Sequence, residues 1–472
     1  MKNSWFEVDK KGLQQIQNNK DKTFIVNELV SNAFDEKTSR INIIFNHNKL
    51  GYSITVFDDS EEGFKDLRDA YTMFAPSYKK SNPNLRGRFN IGEKFVLSMF
   101  EDAEIKSTKG SVIFLKDGTR KTNNKKTERG TIFYGFTKKL TQKEFIFMRE
   151  HSHKIIPPIG LNYLVDSIKV ERPQLTKTFE ETLPSITTDN EGNLVNTSRK
   201  TNIELFKSTN GVGCIYELGI PVVELDIPYL VNVNQKIPLN KDRDNVKPAY
   251  LKKLNTVVLD QISSELSKEQ LKANWVSEGM EKSTHKAVKD VLDGRYGEDA
   301  VVFDMSDSEA NKKAFADDIN VVTGGAFNKN AWDNIREART TYNNLALPSG
   351  QIGKYKSPDL KSGAISLTDD ELTDGMKDII KLAKKLHLYL FNTECSVKIH
   401  NGNGTLATYG KGDLQFSYKT LGKKWFNLLD NKQKIIELII HEFGHWYSSD
   451  HLSEQYYNGL CEIGAKLYCK EY

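Results

Sequence analysis

The chain has 472 residues, more than one ordinary hydrophobic core accommodates, and this length predicts about three domains. Its net charge is only +4, from 67 basic and 63 acidic residues, which argues against nucleic acid as a partner. The four cysteines lack CxxC spacing, which argues against a disulfide framework or a cysteine-built zinc site. No apolar run is long enough for a signal peptide or a membrane span, so we expect a cytoplasmic protein.

A helix is predicted over residues 24–36, FIVNELVSNAFDE. Its apolar stripe of Ile25, Leu29 and Ala33 can pack on a sheet, while a polar stripe lies beside it. A solvated helix face would carry the same polar residues, so the helix alone does not indicate a site. Two strands follow, at 41–45 and 52–59, and the second ends in two aspartates.

A polar segment with Gly87 and Gly92 comes next and leads into an apolar helix. A glycine-containing loop before a helix N-terminus is a ready anion site. Further strands are predicted at AEIKST, GSVIFLK and GTIFYGF. This order of elements predicts an α/β sandwich with helices on one face of a sheet.

The first helix carries a motif that resembles the GHKL, or Bergerat-fold, ATPases, the group that contains type II topoisomerase ATPase domains, MutL, MORC proteins and Hsp-type chaperones. Their ExxxNAxD motif is matched by Glu28, Asn32, Ala33 and Asp35. The resemblance implies that Glu28 is the general base that polarises the attacking water. It also implies that Asn32 coordinates the Mg²⁺ that bridges the phosphates of ATP.

The family's second motif, DxGxG, is degenerate in this chain. One interpretation starts at Asp59 and ends at Gly63, with Glu61 in place of the first glycine; the other starts at Asp58 and needs a one-residue insertion. In either case, the resemblance implies that the aspartate accepts a hydrogen bond from the adenine amino group.

The third motif, GxxGxG, corresponds to residues 87–92, with Asn90 in place of the middle glycine. Asparagine tolerates a left-handed backbone better than most residues, so we expect the loop between Gly87 and Gly92 to cradle phosphate. Lys94 is expected to add a positive charge there. Downstream, Thr131 matches the family's late GT element and is expected near the adenine. Because two of the family's glycines are replaced, the motifs support the prediction of nucleotide binding more than the prediction of hydrolysis.

Residues 139–264 are predicted to form a second α/β domain that resembles the transducer domain of the topoisomerase and MutL branches. In those proteins one lysine returns to the terminal phosphate, and Lys236 is the candidate for that role, with Lys241 and Arg243 as rivals. Residues 265–365 show no catalytic pattern and are predicted to be a helical connector, with a flexible boundary at 350–363.

The last hundred residues carry a different motif, HEFGH, on a predicted long helix. His441 and His445 lie at i and i+4 and project from one face, and Glu442 lies beside them. This geometry suits a Zn²⁺ ion held by two imidazoles, with the glutamate as general base. His451 is the preferred third ligand, and Glu462 is the alternative.

The region resembles the zincins broadly, because no methionine follows residue 376 to make a metzincin turn. The strand DLQFSYKTL is expected to be an edge strand that pairs with a peptide substrate.

The predicted fold class is therefore α+β and multidomain. Its predicted parts are a Bergerat-fold α/β sandwich at 1–138, a transducer-like α/β domain at 139–264, a helical connector at 265–365 and a zincin-like metallopeptidase domain at 366–472. The phosphate loop with its G-E-K resembles the rIIA-like proteins of tailed bacteriophages, which implies a phage-encoded protein in the host cytoplasm.

The functional prediction is an ATPase that gates a zinc peptidase and forms an ATP-dependent homodimer. Two alternatives remain. The chain could be an ATP-dependent clamp or scaffold with a structural or inactive zinc site, or a DNA-acting ATPase.

Overall fold

The computed structural model describes residues 8–64, 66–75, 78–189, 191, 193–240, 245–356, 365–402, 404–410 and 412–471. The chain divides into two compact units, Met1–Val257 and Val258–Tyr472. Helices and several separate sheets occur together, which confirms the predicted α+β class. Within the described residues, no helix is both long and apolar enough to cross a membrane.

The first unit is built around an eight-stranded sheet in the order β5-β4-β3-β6-β2-β1-β7-β8. All neighbouring strands are antiparallel except β1 and β7, which are parallel. The strands are β1 Arg40–Asn48, β2 Gly51–Asp58, β3 Asp102–Ser107, β4 Gly110–Phe114, β5 Arg120–Asn123, β6 Thr131–Thr137, β7 Asn162–Val165 and β8 Ile168–Lys169.

The two strands predicted from their β-branched and aromatic residues pair with each other as β1 and β2. Ile41, Ile43 and Phe45 are buried in turn, and Ile43 lies opposite Val56 in the ladder. Alternate side chains of a strand point to the same face, so this sheet turns a continuous apolar surface toward its helices.

Among the described residues, six α-helices begin in this part of the chain, and the last of them extends past the division between the units. They are α1 Lys10–Gln17, α2 Thr23–Phe34, α3 Tyr78–Ser81, α4 Gly92–Met99, α5 Gln142–Lys154 and α6 Pro248–Ile262. The predicted stripe of Ile25, Leu29 and Ala33 on α2 is buried in the same core cluster as β1 and β2. The helix α5 begins with a capping box between Thr141 and Glu144, which satisfies two backbone N–H groups at its start.

A second sheet in this unit has five strands in the order β12-β11-β13-β10-β9. They are β9 Leu175–Thr188, β10 Leu194–Lys207, β11 Gly213–Glu217, β12 Ile220–Leu225 and β13 Tyr229–Val233. The turn between β11 and β12 and the segment after β13 both reach the start of the glycine loop.

The second unit contains nine further helices among its described residues, together with two small sheets. The helices are α7 Lys268–Leu271, α8 Asn274–Gly279, α9 His285–Tyr296, α10 Ser308–Ala316, α11 Lys329–Ala338, α12 Asp374–Phe391, α13 Tyr418–Leu421, α14 Leu428–Gly444 and α15 Glu454–Glu471. The strands are β14 Val301–Val302, β15 Val321–Val322, β16 Ser396–His400, β17 Ala407–Gly410 and β18 Asp413–Ser417.

The expected edge strand of the C-terminal region is not at an edge. The strand β18 lies in the middle of a three-stranded sheet, parallel to β16 on one side and antiparallel to β17 on the other. Both of its backbone edges are therefore already paired, and the prediction that this strand receives an extended peptide is wrong. The predicted flexible boundary at 350–363 falls partly on residues 357–364, which lie outside the described residues.

Candidate functional site

A cavity of about 280 Å³ opens in the first unit. Its walls come from α2, the end of β2, the loop before α4 and the start of β6. The residues predicted from sequence that line it are Glu28, Asn32, Asp58, Gly63, Gly87, Asn90, Gly92 and Thr131. Residues from motifs that lie more than a hundred positions apart thus face one cavity.

Glu28 lies directly against the start of α4. A Cβ atom built on Gly92 would stand 1.9 Å from one carboxylate oxygen of Glu28 and 3.0 Å from the other. Position 92 can therefore carry no side chain while Glu28 keeps its place. The close approach brings a carboxylate to the end of a helix, where unpaired backbone N–H groups are concentrated.

Asp35 does not line the cavity but holds one end of the glycine loop. Its buried carboxylate accepts hydrogen bonds from the backbone N–H groups of Arg86 and Gly87, all at 3.0 Å. It also pairs with the Arg86 guanidinium at 3.1 Å. Asp35, the aspartate of the ExxxNAxD motif, thus fixes the position at which the glycine loop begins.

The two aspartates at the end of β2 have different surroundings. Asp58 lines the cavity, and burial raises the pKa of its carboxyl, while Ser60 donates two hydrogen bonds to it. Asp59 accepts hydrogen bonds from the backbone N–H groups of Ser39 and Arg40 instead. Although partial burial raises the pKa of Asp59, hydrogen bonds to it lower the pKa by more. The structure therefore places Asp58 at the cavity and Asp59 at the start of β1.

Thr131 reaches the cavity through its pairing with the end of β2. It lies opposite Asp58 in the ladder between β2 and β6. The preceding Gly130 has a φ of 70°, and a Cβ atom there would stand 1.8 Å from the Asp58 carbonyl oxygen. Glycine is thus required for the close approach that sets Thr131 beside Asp58.

Asn90 adopts the left-handed conformation that the sequence indicated, with a φ of 53°. Lys94 donates a hydrogen bond to the Asn90 side-chain oxygen at 2.9 Å and another to the Asp69 carbonyl. It does not line the cavity, and burial lowers the pKa of its ammonium group. Lys94 therefore holds the glycine loop through hydrogen bonds outside the cavity. The sequence predicts instead a positive charge that faces the phosphates.

Lys236 is fully buried and bonds to main-chain atoms. Its ammonium group donates hydrogen bonds to the carbonyl oxygens of Lys79 and Lys80 in α3, at 2.8 and 2.9 Å. The cavity lining contains those two lysines but not Lys236 itself. The rival candidates Lys241 and Arg243 lie outside the described residues.

Motif reasoning missed several charged residues that line the cavity. The basic ones are Lys20, Lys79, Lys80 and Arg88, and Glu93 is among the acidic ones. Burial raises the pKa of the Glu93 carboxyl, and Lys79 pairs with Glu36 at 2.7 Å. The adjacent lysines at 79 and 80 were visible in the sequence, but a pair of charges in a polar segment is typical of any solvated loop.

The glycine loop is also anchored to the second sheet of the same unit. Arg88 is buried and bonds to the Glu217 carboxylate and, at 2.8 Å, to the Ile237 carbonyl. Arg86 donates to the Leu218 carbonyl, in the turn between β11 and β12. Two arginines of the loop therefore fasten it to residues more than 120 positions further along the chain.

A second group of candidate residues lies in the second unit, at the end of α14. One nitrogen from each of His441, His445 and His451 lies within 4.8 Å of the others. The Nε2 atoms of His441 and His451 are 3.3 Å apart. Two nitrogens bound to one tetrahedral Zn²⁺ at the usual bond length would be separated by about 3.3 Å, so the spacing fits a zinc ion.

The histidines are in a state suited to metal binding. Burial lowers the pKa of all three, to about 4 for His451, so the imidazoles are neutral at physiological pH. The Nδ1 atom of His445 lies 3.1 Å from the Ser448 carbonyl, which can only accept, so the proton is on Nδ1 and Nε2 is free for a metal.

The two glutamates considered from sequence have contrasting positions. Glu442 is buried, and burial raises the pKa of its carboxyl to about 8. Glu462 is exposed and pairs with Lys466 at 2.6 Å on α15, and it is not part of the histidine group. Of the two candidates for the third ligand, the structure therefore brings His451, and not Glu462, next to His441 and His445.

No protein-family model matches the chain, and no curated protein matches it. Among solved structures, it is similar to the ATPase region of Saccharomyces cerevisiae topoisomerase II bound to ICRF-187, with 12% identity over 42% of this chain and 62% of that chain and a TM-score of 0.30. The ATPase region of the same yeast protein gives 11% identity over 45% and 72% of the two chains, with a TM-score of 0.32.

The ATPase and transducer domains of DNA topoisomerase II from Balamuthia mandrillaris give 12% identity over 42% and 59%, with a TM-score of 0.31. These similarities are too distant to carry a fold or an activity from one chain to the other.

Proposed function

We propose that the first unit binds ATP with Mg²⁺ in the cavity between α2 and the glycine loop. The observation that carries this proposal is the convergence of Glu28, Asn32, Asp58 and Gly92 on one cavity. They come from three separate motifs, and a chance likeness would not bring all three to the same place. The GHKL assignment therefore rests on motifs and on the placement of their residues.

The cavity has an end suited to adenine and an end suited to phosphate. Asp58 and Thr131 are neighbours at the end of the sheet, where a carboxylate can accept the adenine amino group. The loop ending at Gly92 leads into the N-terminus of α4, where backbone N–H groups and the helix dipole favour an anion. Lys79 and Lys80 add positive charge to the lining.

Asn32 and Glu28 are assigned to the metal and to the attacking water. They lie one helical turn apart on the cavity face of α2, so both can reach the same phosphate. Mg²⁺, when bound, neutralises charge on the phosphates, and Glu28 positions a water for attack. Lys236 remains a candidate for the terminal phosphate only if α3 releases its ammonium group.

Binding and hydrolysis can be tested separately by calorimetric titration with MgATP and by phosphate release. Asp58→Ala should abolish binding, whereas Asp117→Ala, in an exposed turn, should leave it unchanged. Glu28→Gln should retain binding and lose hydrolysis. Binding by Asp58→Ala as tight as that of the wild type would overturn the proposal.

A second candidate function is that of a zinc-dependent hydrolase in the second unit. It is supported by the three convergent histidines and by Glu442 next to the first of them. His441, His445 and His451 would hold Zn²⁺, which would supply a Lewis acid, and Glu442 would serve as the general base. A peptide or protein is the proposed substrate.

Measurement of bound zinc in variants tests which residues are the ligands of this centre. Zinc measured by elemental analysis should fall from one equivalent to background in His451→Ala and stay at one in Glu462→Ala. Peptidase activity lost in Glu442→Gln with zinc retained would support hydrolysis. Zinc without any peptidase activity in the wild type would instead support the clamp or scaffold with a structural ion.

Several further predictions remain proposals. They are control of the metal site by ATP, ATP-dependent homodimerisation, a phage origin with a role in the host cytoplasm, and the domain limits at 138, 264 and 365. A DNA-acting ATPase is the least favoured alternative, because the net charge is near zero. DNA binding that weakens steeply with salt would revive it.

A further inference from the structure

A buried tyrosine on α15 lies next to the three histidines. Tyr456 is 2% exposed, and its ring centroid is 5.9, 5.2 and 4.8 Å from those of His441, His445 and His451. It is thus a common neighbour of all three imidazoles. No motif in the sequence selected it.

The Tyr456 hydroxyl makes two contacts with the same histidine. It lies 3.0 Å from His441 Nδ1 and 3.0 Å from the His441 carbonyl oxygen. The carbonyl oxygen can only accept, so the hydroxyl proton is donated to it. The hydroxyl oxygen then accepts from Nδ1–H, which leaves Nε2 of His441 unprotonated.

That unprotonated Nε2 is the atom that faces the rest of the site. It is 3.3 Å from Nε2 of His451. The hydroxyl of Tyr456 therefore selects, from the two tautomers of His441, the one whose lone pair points to the shared position.

Room for the tyrosine ring depends on Gly444, inside the HEFGH sequence. A Cβ atom at position 444 would stand 2.7 Å from a ring carbon of Tyr456. Because position 444 has no side chain, the Tyr456 ring of α15 can pack against α14, the helix that carries His441. The glycine between the two histidines thus has a steric reason in this structure.

We propose that Tyr456 is a positioning residue of the metal centre, which fixes the tautomer and orientation of His441 and packs against the other two imidazoles. This inference rests on the proposed metal site. Outer partners of metal-bound histidines typically change metal affinity by about 10- to 100-fold when they are removed.

The test compares Tyr456→Phe with Tyr457→Phe, whose side chain is 50% exposed one position later. Zinc affinity is measured in the full chain by competition with a chromophoric chelator, and folding by circular dichroism. Tyr456→Phe should bind zinc about 10- to 100-fold more weakly, and Tyr457→Phe should match the wild type. Equal affinities in all three proteins would overturn the inference.

A wild-type chain that is folded but binds no zinc would overturn the metal centre itself, which separates the two failures. A second measurement needs no variant. Nitrogen-15 NMR of the metal-free chain should show His441 with its proton on Nδ1, and a proton on Nε2 would contradict the role of the Tyr456 hydroxyl.

Discussion

Gly92, at the end of the glycine loop, lies against the Glu28 side chain of α2. A methyl group there would collide with the Glu28 carboxylate and move it by about 1 Å. Displacements of that size at a reacting group cost on the order of 100-fold in rate. We therefore expect Gly92→Ala to reduce ATP hydrolysis by about that factor, measured as phosphate release.

The matched control is Gly12→Ala on α1, where a new Cβ atom would meet only an oxygen of Asp9 at 3.6 Å. This variant should hydrolyse ATP at the wild-type rate. Equal losses in both variants would mean that the Gly92 contact has no special role.

His151 on α5 makes the first unit sensitive to acid. Burial lowers the pKa of His151 to about 4, and its Nε2 lies 2.8 Å from the Asn27 side-chain oxygen. The unfolded chain takes up a proton below about pH 6.5 and the folded chain only near pH 4. Folded stability therefore falls as the pH is lowered through this window, by up to about 3 kcal/mol.

His151→Gln keeps a hydrogen-bond donor but cannot titrate. Urea unfolding followed by circular dichroism, at pH values from 7 to 4, should show the variant losing less stability than the wild type. Parallel losses in the two proteins would exclude His151 as the source.

Individual residues show how far sequence reasoning reaches. Glu28 and Asn32 could be selected because their spacing survives in the sequence, and both line the cavity. Asp58 and Asp59 could not be separated, since they are adjacent in the sequence and the degenerate motif can start at either of them. The position of Tyr456 depends on how α15 packs against α14, which no local pattern records.

The glycine loop, as an element, is held by a buried ion pair. The side chains of Arg88 and Glu217 are 4% and 3% exposed, and Glu217 also accepts from the Ile237 N–H at 2.7 Å. Arg88→Met would remove the guanidinium that pairs with this buried carboxylate. We expect a loss of about 3–5 kcal/mol in the free energy of unfolding, measured by urea titration without nucleotide.

Adding Glu217→Gln to Arg88→Met should recover part of this loss, because a neutral amide still accepts from Ile237. The exposed pair of Lys200 and Glu180, 67% and 54% exposed, is the control. Lys200→Met should change stability by less than about 1 kcal/mol. A small effect of Arg88→Met would show that the loop does not depend on the buried pair.

The strands show a second limit of sequence reasoning. The β-branched and aromatic residues of β1 and β2 predicted a pair of strands, and the turn between them is short. The alternation of apolar and polar residues in β18 could not show whether the strand has one neighbour or two. Its partner β16 precedes it by a dozen residues or more and runs parallel, so the pairing depends on a long-range connection.

At the scale of the whole molecule, two compact units predict two unfolding transitions in calorimetry. A ligand present at 100 times its Kd stabilises the unit that binds it by about 2.7 kcal/mol. A non-hydrolysable ATP analogue with Mg²⁺ should raise one Tm, and Zn²⁺ should raise the other. Asp58→Ala should remove the first shift and His451→Ala the second.

The same experiment tests control of the metal site by nucleotide. If the two sites are coupled, each ligand also moves the other transition, since linkage between sites is reciprocal. Shifts confined to one transition each would exclude that coupling.

The α+β class of the chain could be predicted from the succession of helical and strand patterns. The role of residues 265–365 could not, because their short helices carry no motif. In the structure these residues belong to the same compact unit as the histidine group, and Arg336 donates a hydrogen bond to the Leu452 carbonyl at 2.9 Å, next to His451. Because the acceptor is a main-chain carbonyl oxygen, this contact does not depend on the residue type and cannot be predicted from the sequence.

Lys236 shows a related property with a consequence for the nucleotide cavity. Its ammonium group donates hydrogen bonds to the carbonyl oxygens of residues 79 and 80, and these two bonds depend on the backbone conformation of α3. Exchanging either lysine would alter the charge of the cavity without loosening this attachment. Any ligand that reshapes α3, in contrast, would alter two of the contacts that hold this buried cation.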